Sequence, residues 1–213
     1  MTTIGVILGS IREGRFGEGV AHWVRETGQA HDGVEYKLLD LADFNVPALT
    51  VATLPGMANK HYDDEAVTAW SKAVDECDGF VFVTPEYNFS IPGALKNAID
   101  FLQPGAVANK GVGVVGYSYS VGIRAVSHLQ QILQGMGASV VASNVFLSLN
   151  TDFADGAFSP ASFHDPEVPA TPAWQEQHTG VPAAQVVRLA REWAQNAVDT
   201  EGRGMILLGA GVN

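Results

Sequence analysis

Gly9-Ser10-Ile11-Arg12-Glu13-Gly14-Arg15-Phe16-Gly17 decides the reading of this chain. An apolar run, Ile4-Gly5-Val6-Ile7-Leu8, leads into it, and Val20, Trp23, Val24 and Thr27 recur beyond it with the spacing of one helix face. The stretch therefore joins a buried strand to the start of a helix. The first turn of a helix has unpaired N–H groups and the positive end of the dipole, so such a loop attracts an anion. Ser10 adds a hydroxyl, Arg12 and Arg15 add two cations, and the glycines let the backbone curl close to a ligand. A phosphate suits this best. On the loop alone the competing reading is a plain turn with solvated arginines. No Gly-Lys-Ser/Thr follows, so it is not a Walker loop, and Gly9 is wrongly placed for a dinucleotide fingerprint.

Outward from this loop, strands and helices alternate. Strands are predicted at about 3–8, 35–40, 80–84 and 111–117, and a last one starts at Ser139 and continues past Asn144 toward Leu149. Helices are predicted at 17–30, 63–76 with Val67, Trp70 and Val74 inward, from Pro92 to about 102, and at 123–136 with Val126, Leu129, Ile132, Leu133 and Met136 inward. Ser90 reads as an N-cap and 41–62 as a long loop. The order predicts an α/β fold, a doubly wound five-stranded parallel sheet with helices on both faces. The expected division is a single domain over 1–199, with an irregular, proline-rich excursion at 150–181, a final helix marked by Val186, Ala190, Trp193 and Ala197, and a tail from 200 to 213. The tail carries Met205 to Leu208 and reads as disordered or as an oligomer arm.

Two more loops follow strands, Pro85-Glu86-Tyr87-Asn88-Phe89-Ser90 and Ser118-Tyr119-Ser120-Val121-Gly122. Ligands of doubly wound folds bind at the carboxyl ends of the strands, so three separate loops are expected to meet in one site.

The chain has 12 basic and 23 acidic residues, a net charge of −11, which argues against nucleic acid and anionic membrane surfaces as partners. No apolar run approaches the roughly 18 residues of a membrane span. Cys77 is the only cysteine, no basic-then-apolar leader opens the sequence, and a cytoplasmic protein is expected. The six histidines have no metal spacing. Cys77 reads as a buried, inert thiol.

Taken together, the motifs resemble the NADPH-dependent FMN reductase family. Gly9-Ser10-Ile11-Arg12 with Arg15 and Gly17 is similar to its phosphate loop. Pro85-Glu86-Tyr87-Asn88, followed by Ile91-Pro92-Gly93-Ala94-Leu95-Lys96-Asn97-Ala98-Ile99-Asp100, is similar to its most specific motif. The resemblance spans about residues 2–145 and the final helix. In the third loop Val121 stands where the family is richer in glycine. The resemblance implies a flavodoxin-like fold, FMN as cofactor, NADPH or NADH as electron donor, and a homodimer or homotetramer. It implies a cofactor site of Ser10, Arg12, Arg15, Phe16 and Gly17, then Pro85, Glu86, Tyr87 and Asn88, then Ser118, Tyr119, Ser120 and Gly122. The first group would hold phosphate, backbone N–H groups of the second the polar edge of the ring, and the third would close its other side. No side chain is expected to act as acid or base, because the flavin carries the chemistry. Hydride would pass from nicotinamide to flavin and on to a flavin, quinone, azo compound or metal oxyanion, by a ping-pong course. Glu86 reads as structural rather than catalytic. The alternatives are a flavodoxin-type electron carrier, against which the arginines of the first loop speak, and a flavin-binding protein that does not turn over.

Overall fold

The computed structural model describes residues 1–154, 157–158, 176–177 and 179–188. It has two compact units, Met1–Ser159 and Pro160–Asn213. In the first, β1 (Thr2–Leu8), β2 (Val34–Asp40), β3 (Gly79–Pro85) and β4 (Gly111–Ser118) pair in parallel in the order β2-β1-β3-β4. β5 (Ser139–Val140) lies beside the start of β4 and β6 (Val145–Ser148) beside its end, both parallel. The fifth position of the sheet is thus filled by an interrupted strand, and the sheet counts six strands where five were expected.

Successive side chains of a strand face opposite ways, and both faces are covered here, so the strands are apolar throughout. On one face Ile7, Phe80, Phe82, Val112 and Val114 pack with three helices, α3 (Glu65–Asp75), α4 (Gly93–Asp100) and α5 (Ile123–Gly135). On the other, Val6, Leu8, Val83 and Val115 pack with Val20 and Ala21 of α1 (Gly17–Gln29). Asp64 caps α3, accepting from the N–H groups of Ala66 and Val67 at 2.8 and 3.1 Å. Trp70 is fully buried. Its indole N–H donates to the Ala98 carbonyl at 2.8 Å, which ties α3 to α4.

Several local expectations are corrected. Thr27 is exposed, and Gly28 takes the inward place on α1, where a Cβ would lie 2.4 Å from the Tyr36 ring. The 41–62 segment is not all loop: it opens with a one-turn helix, α2 (Leu41–Phe44), capped by Asp40, and contains a 3₁₀ turn at Pro55–Met57. Pro92, not Ser90, precedes α4, and the Ser90 hydroxyl instead shares a hydrogen bond with His128 at 2.9 Å. The 150–181 excursion begins with a small antiparallel hairpin, β7 (Phe153–Ala154) and β8 (Ala157–Phe158). Its Phe153 ring sits 5.5 Å from Phe16 and 5.9 Å from Tyr117. Residues 183–188 are helical, whereas Ala190, Trp193, Ala197 and the tail from 200 lie outside the described residues.

Replacing Trp70 by Phe strands the Ala98 carbonyl and leaves part of the indole's space empty. Urea denaturation should show a loss of about 1–3 kcal/mol at unchanged m-value. An unchanged midpoint would show that this bond contributes nothing.

Candidate functional site

The register of β1, β3 and β4 places Leu8 beside Val83, and Pro85 beside Tyr117. The three loops that leave these strands therefore emerge on one edge. They enclose a cleft of about 350 Å³ lined by Arg12, Phe16, Pro85, Glu86, Tyr87, Tyr117, Ser118, Tyr119 and Leu149. Of the residues expected in the site, Ser10, Arg15, Gly17, Asn88, Ser120 and Gly122 stand outside this lining. A larger cavity of about 550 Å³ lies elsewhere, between residues 51–64 and α3. Its polar groups include Asp64, which caps α3, and the Tyr62 hydroxyl, which donates to the Phe101 carbonyl at 3.0 Å. It contains no arginine or lysine, so it lacks the cations of the first site.

The first loop is braced from within. Arg15 is turned inward, its side chain 9% exposed, and it forms salt bridges with Asp40 and Glu18. Its Nη1 also donates to the Ser10 carbonyl at 2.9 Å. Arg15 was expected to hold a phosphate, but this guanidinium is engaged in fixing the loop to the end of β2. Arg12 remains as the exposed cation of the loop. Its Nε donates to the Tyr87 hydroxyl at 3.4 Å, and that hydroxyl also shares a hydrogen bond with Ser10 Oγ at 2.8 Å. Tyr87 thus links the first two loops. Phe16 stands at the N-cap of α1 and makes no side-chain capping bond. One buried polar atom nearby, Arg15 Nε, has no hydrogen-bond partner among the described residues, and the Tyr117 hydroxyl faces the Gly17 backbone at the start of α1. Burial raises the Tyr117 pKa, so the phenol is neutral at any ordinary pH. At Gly17 a Cβ would lie 2.5 Å from that hydroxyl, which keeps the position to glycine.

The second loop is a tight turn. Tyr87 and Ser90 exchange backbone hydrogen bonds at 2.9 and 3.1 Å, with Asn88 at φ 46° and Phe89 at φ 69° between them. The Glu86 N–H donates to the Tyr117 carbonyl at 3.2 Å. Glu86 and Tyr87 therefore have no amide to spare, Pro85 has none, and the expected row of free donors over Pro85–Asn88 reduces to Asn88.

The third loop folds around Ser118 Oγ, which accepts from the N–H groups of Ser120 and Gly122 at 3.0 and 2.8 Å. Val121 adopts φ 56°, a left-handed conformation that costs a β-branched residue of order 1–3 kcal/mol.

Glu86 is the joint between the second and third loops. Its side chain is 4% exposed. One oxygen accepts from the N–H groups of Arg124 and Ala125 at the start of α5, at 3.0 and 3.4 Å. The other accepts from Arg124 Nε at 2.9 Å and from Ser120 Oγ at 3.1 Å. Burial alone would raise its pKa, but the hydrogen bonds from Arg124, Ser120 and Ala125 outweigh it, and the carboxyl is held below its ordinary value. This is a helix-capping carboxylate with every lone pair engaged, not an acid poised to titrate.

The sequence model of the family described as NADPH-dependent FMN reductase matches residues 2–152. The chain belongs to this family. An NAD(P)H-dependent FMN reductase of Nectria sp is 36% identical over 141 residues, 63% of this chain and 68% of that protein. A quinone reductase of Escherichia coli K12 is 33% identical over 151 residues, 66% of this chain and 74% of that protein. The solved structure of a flavoenzyme NAD(P)H:(acceptor) oxidoreductase from Paracoccus denitrificans has the same fold, with a TM-score of 0.58 at 24% identity, over 75% of this chain and 87% of that one. A stretch of 58 residues is also 60% identical to the nitrate reductase alpha chain of Bacillus subtilis; it makes up 27% of this chain but 5% of that protein, too small a share to carry an activity.

Sequence reasoning missed Asp40 and Arg124. Asp40 ends a strand and stands 25 positions from Arg15, and Arg124 stands 38 positions from Glu86, so no local spacing marks either pair.

Because the folded pKa of Glu86 is depressed, its stabilisation is present in full above the ordinary carboxyl value of 4.5 and is lost as pH falls through the lower folded value. Glu86→Gln should therefore cost about 1–3 kcal/mol at pH 7, with the gap to the parent closing below about pH 4. Thermal melts across pH 3–7 check this. Parallel melting curves for the two proteins would contradict it.

Proposed function

We propose that this chain is an FMN-dependent NAD(P)H oxidoreductase that takes a hydride from NADPH or NADH and delivers it to a flavin, quinone, azo compound or metal oxyanion. The observation that carries this reading is the meeting of three loops in one cleft, beside the point where the strand order reverses, in a chain of the NADPH-dependent FMN reductase family.

The residues present fit FMN. The start of α1, which has no side-chain cap, and the exposed Arg12 suit a phosphate, and the buried, unpartnered Arg15 Nε belongs to the same loop. The cleft volume is within the range of small-molecule sites. When bound, FMN would supply the acceptance and release of hydride. Phosphate falls to Arg12 and the first-turn amides, with Arg15 and the buried Ser10, whose hydroxyl is bonded to Tyr87, as the braces that shape their loop. Phe16 and Tyr119 give the cleft apolar walls, and Asn88 keeps the free amide of its loop. Glu86 neither gives nor takes a proton in this scheme. One cleft serves nicotinamide and acceptor in turn, which makes the course ping-pong.

Initial rates over a grid of NADPH and quinone concentrations should give parallel double-reciprocal lines. Intersecting lines would mean that both substrates are held together. Tight FMN without NADPH oxidation would instead favour the electron-carrier reading, and absence of FMN uptake would remove the site.

The protein is further proposed to form a homodimer or homotetramer. Leu49, Val51, Leu54 and Met57 are exposed apolar residues on one segment, a surface that association would cover. Light scattering at micromolar concentration should read twice or four times the 22.6 kDa chain mass. The monomer mass would refute this.

A further inference from the structure

Arg124 belongs to none of the motifs and does not line the cleft, yet its contacts reach two of the three loops that do. Its Nε donates to Glu86 at 2.9 Å, and its Nη2 to Glu86 and, at 2.8 Å, to Ser120 Oγ. The guanidinium also lies over the Phe89 ring, 4.7 Å from its centroid. Glu86 and Phe89 belong to the second loop and Ser120 to the third. A planar guanidinium offers a fork of donors in its plane and a face for stacking, and no other side chain offers both.

Phe89 explains why such a brace is needed. It sits at φ 69° and is 66% exposed, so neither backbone preference nor burial holds it there. Its ring contact among the described residues is the Arg124 face. The same arginine keeps the Glu86 carboxylate on α5 and so fixes where the second loop leaves β3. We propose that Arg124 is the positioning residue of the cleft: by gripping Glu86, Ser120 and Phe89 together it sets the separation of the second and third loops, and with it the fit of a flavin ring between them. This rests on the flavin reading above.

The test compares the parent with Arg124→Met, Arg124→Lys and, as a contrast, Arg12→Ala, titrating each with FMN and with riboflavin. Arg124→Met should weaken both flavins by the same factor, about tenfold, because it is the ring site that loosens. Arg124→Lys should recover little, since an ammonium has neither fork nor face. Arg12→Ala should weaken FMN while leaving riboflavin as in the parent. A second readout needs no flavin. The Tyr87 and Ser90 amides, bonded across the turn, should exchange about tenfold faster in Arg124→Met. If that variant does not fold, Phe89→Leu removes the stacking alone and should weaken both flavins about threefold. A folded Arg124→Met with parent-like affinity overturns the proposal, even if its melting temperature has dropped, because the residue would then only stabilise. A parent that binds neither flavin defeats the proposed function, and the exchange rates at Tyr87 and Ser90 then decide by themselves whether Arg124 holds the turn.

Discussion

The parallel register of β1, β3 and β4 is the constraint on which the molecule depends. Backbone pairing sets Gly5 beside Phe80 and Phe80 beside Val112, so β1 ends at Leu8 level with Val83, and Pro85 at the end of β3 is level with Tyr117. A slip of one residue would turn each apolar set to the wrong face of the sheet. It would also separate the Glu86 amide from the Tyr117 carbonyl and Gly9 from Val83, the bonds that start the second and first loops. Burying the strands on both faces thus does two things at once: it forms the core, and it delivers three loops to one edge.

Around that edge the cations have divided roles. The chain carries a net charge of −11, and two of its arginines are committed to carboxylates beside the cleft. Arg15 pairs with Asp40 under the first loop and Arg124 with Glu86 behind the second. Pairing buried carboxylates in this way avoids the heavy cost of leaving them charged and alone. Arg12 is left facing solvent at the mouth of the cleft. Asn88, Phe89 and Val121, all in left-handed backbone, cluster in the same loops. Strain of this kind persists only where surrounding contacts hold it, and here the contacts come from Ser118 and Arg124.

Much of this was legible in the sequence. Phe80 to Thr84 reads as a strand because an uninterrupted apolar run suits a sheet covered twice, and the loops read as a site because each follows such a strand. Glu86 read as structural, and its carboxylate accepts from the first N–H groups of α5. Other features depend on partners distant in sequence. The pairing of Arg15 was hidden because nothing nearby shows that Asp40 waits at the end of β2. Leu41 to Phe44 is too short for any period to show. The turn at Asn88 and Phe89 lacks the glycine that usually marks left-handed pairs, so its internal bonds, which consume the Tyr87 amide, were hidden. Arg124 is visible only once α5 has docked against the end of β3.

The central claim is that a flavin binds where the three loops meet and not in the larger cavity beside α3. Adding FMN to the isotopically labelled protein and following its backbone amide resonances tests this most directly. The account predicts shifts concentrated at Ser10–Gly17, Tyr87–Asn88 and Ser118–Gly122, with Tyr62, Asp64 and Val67 unmoved. Shifts centred on those last three residues, or none at saturating FMN, would contradict it.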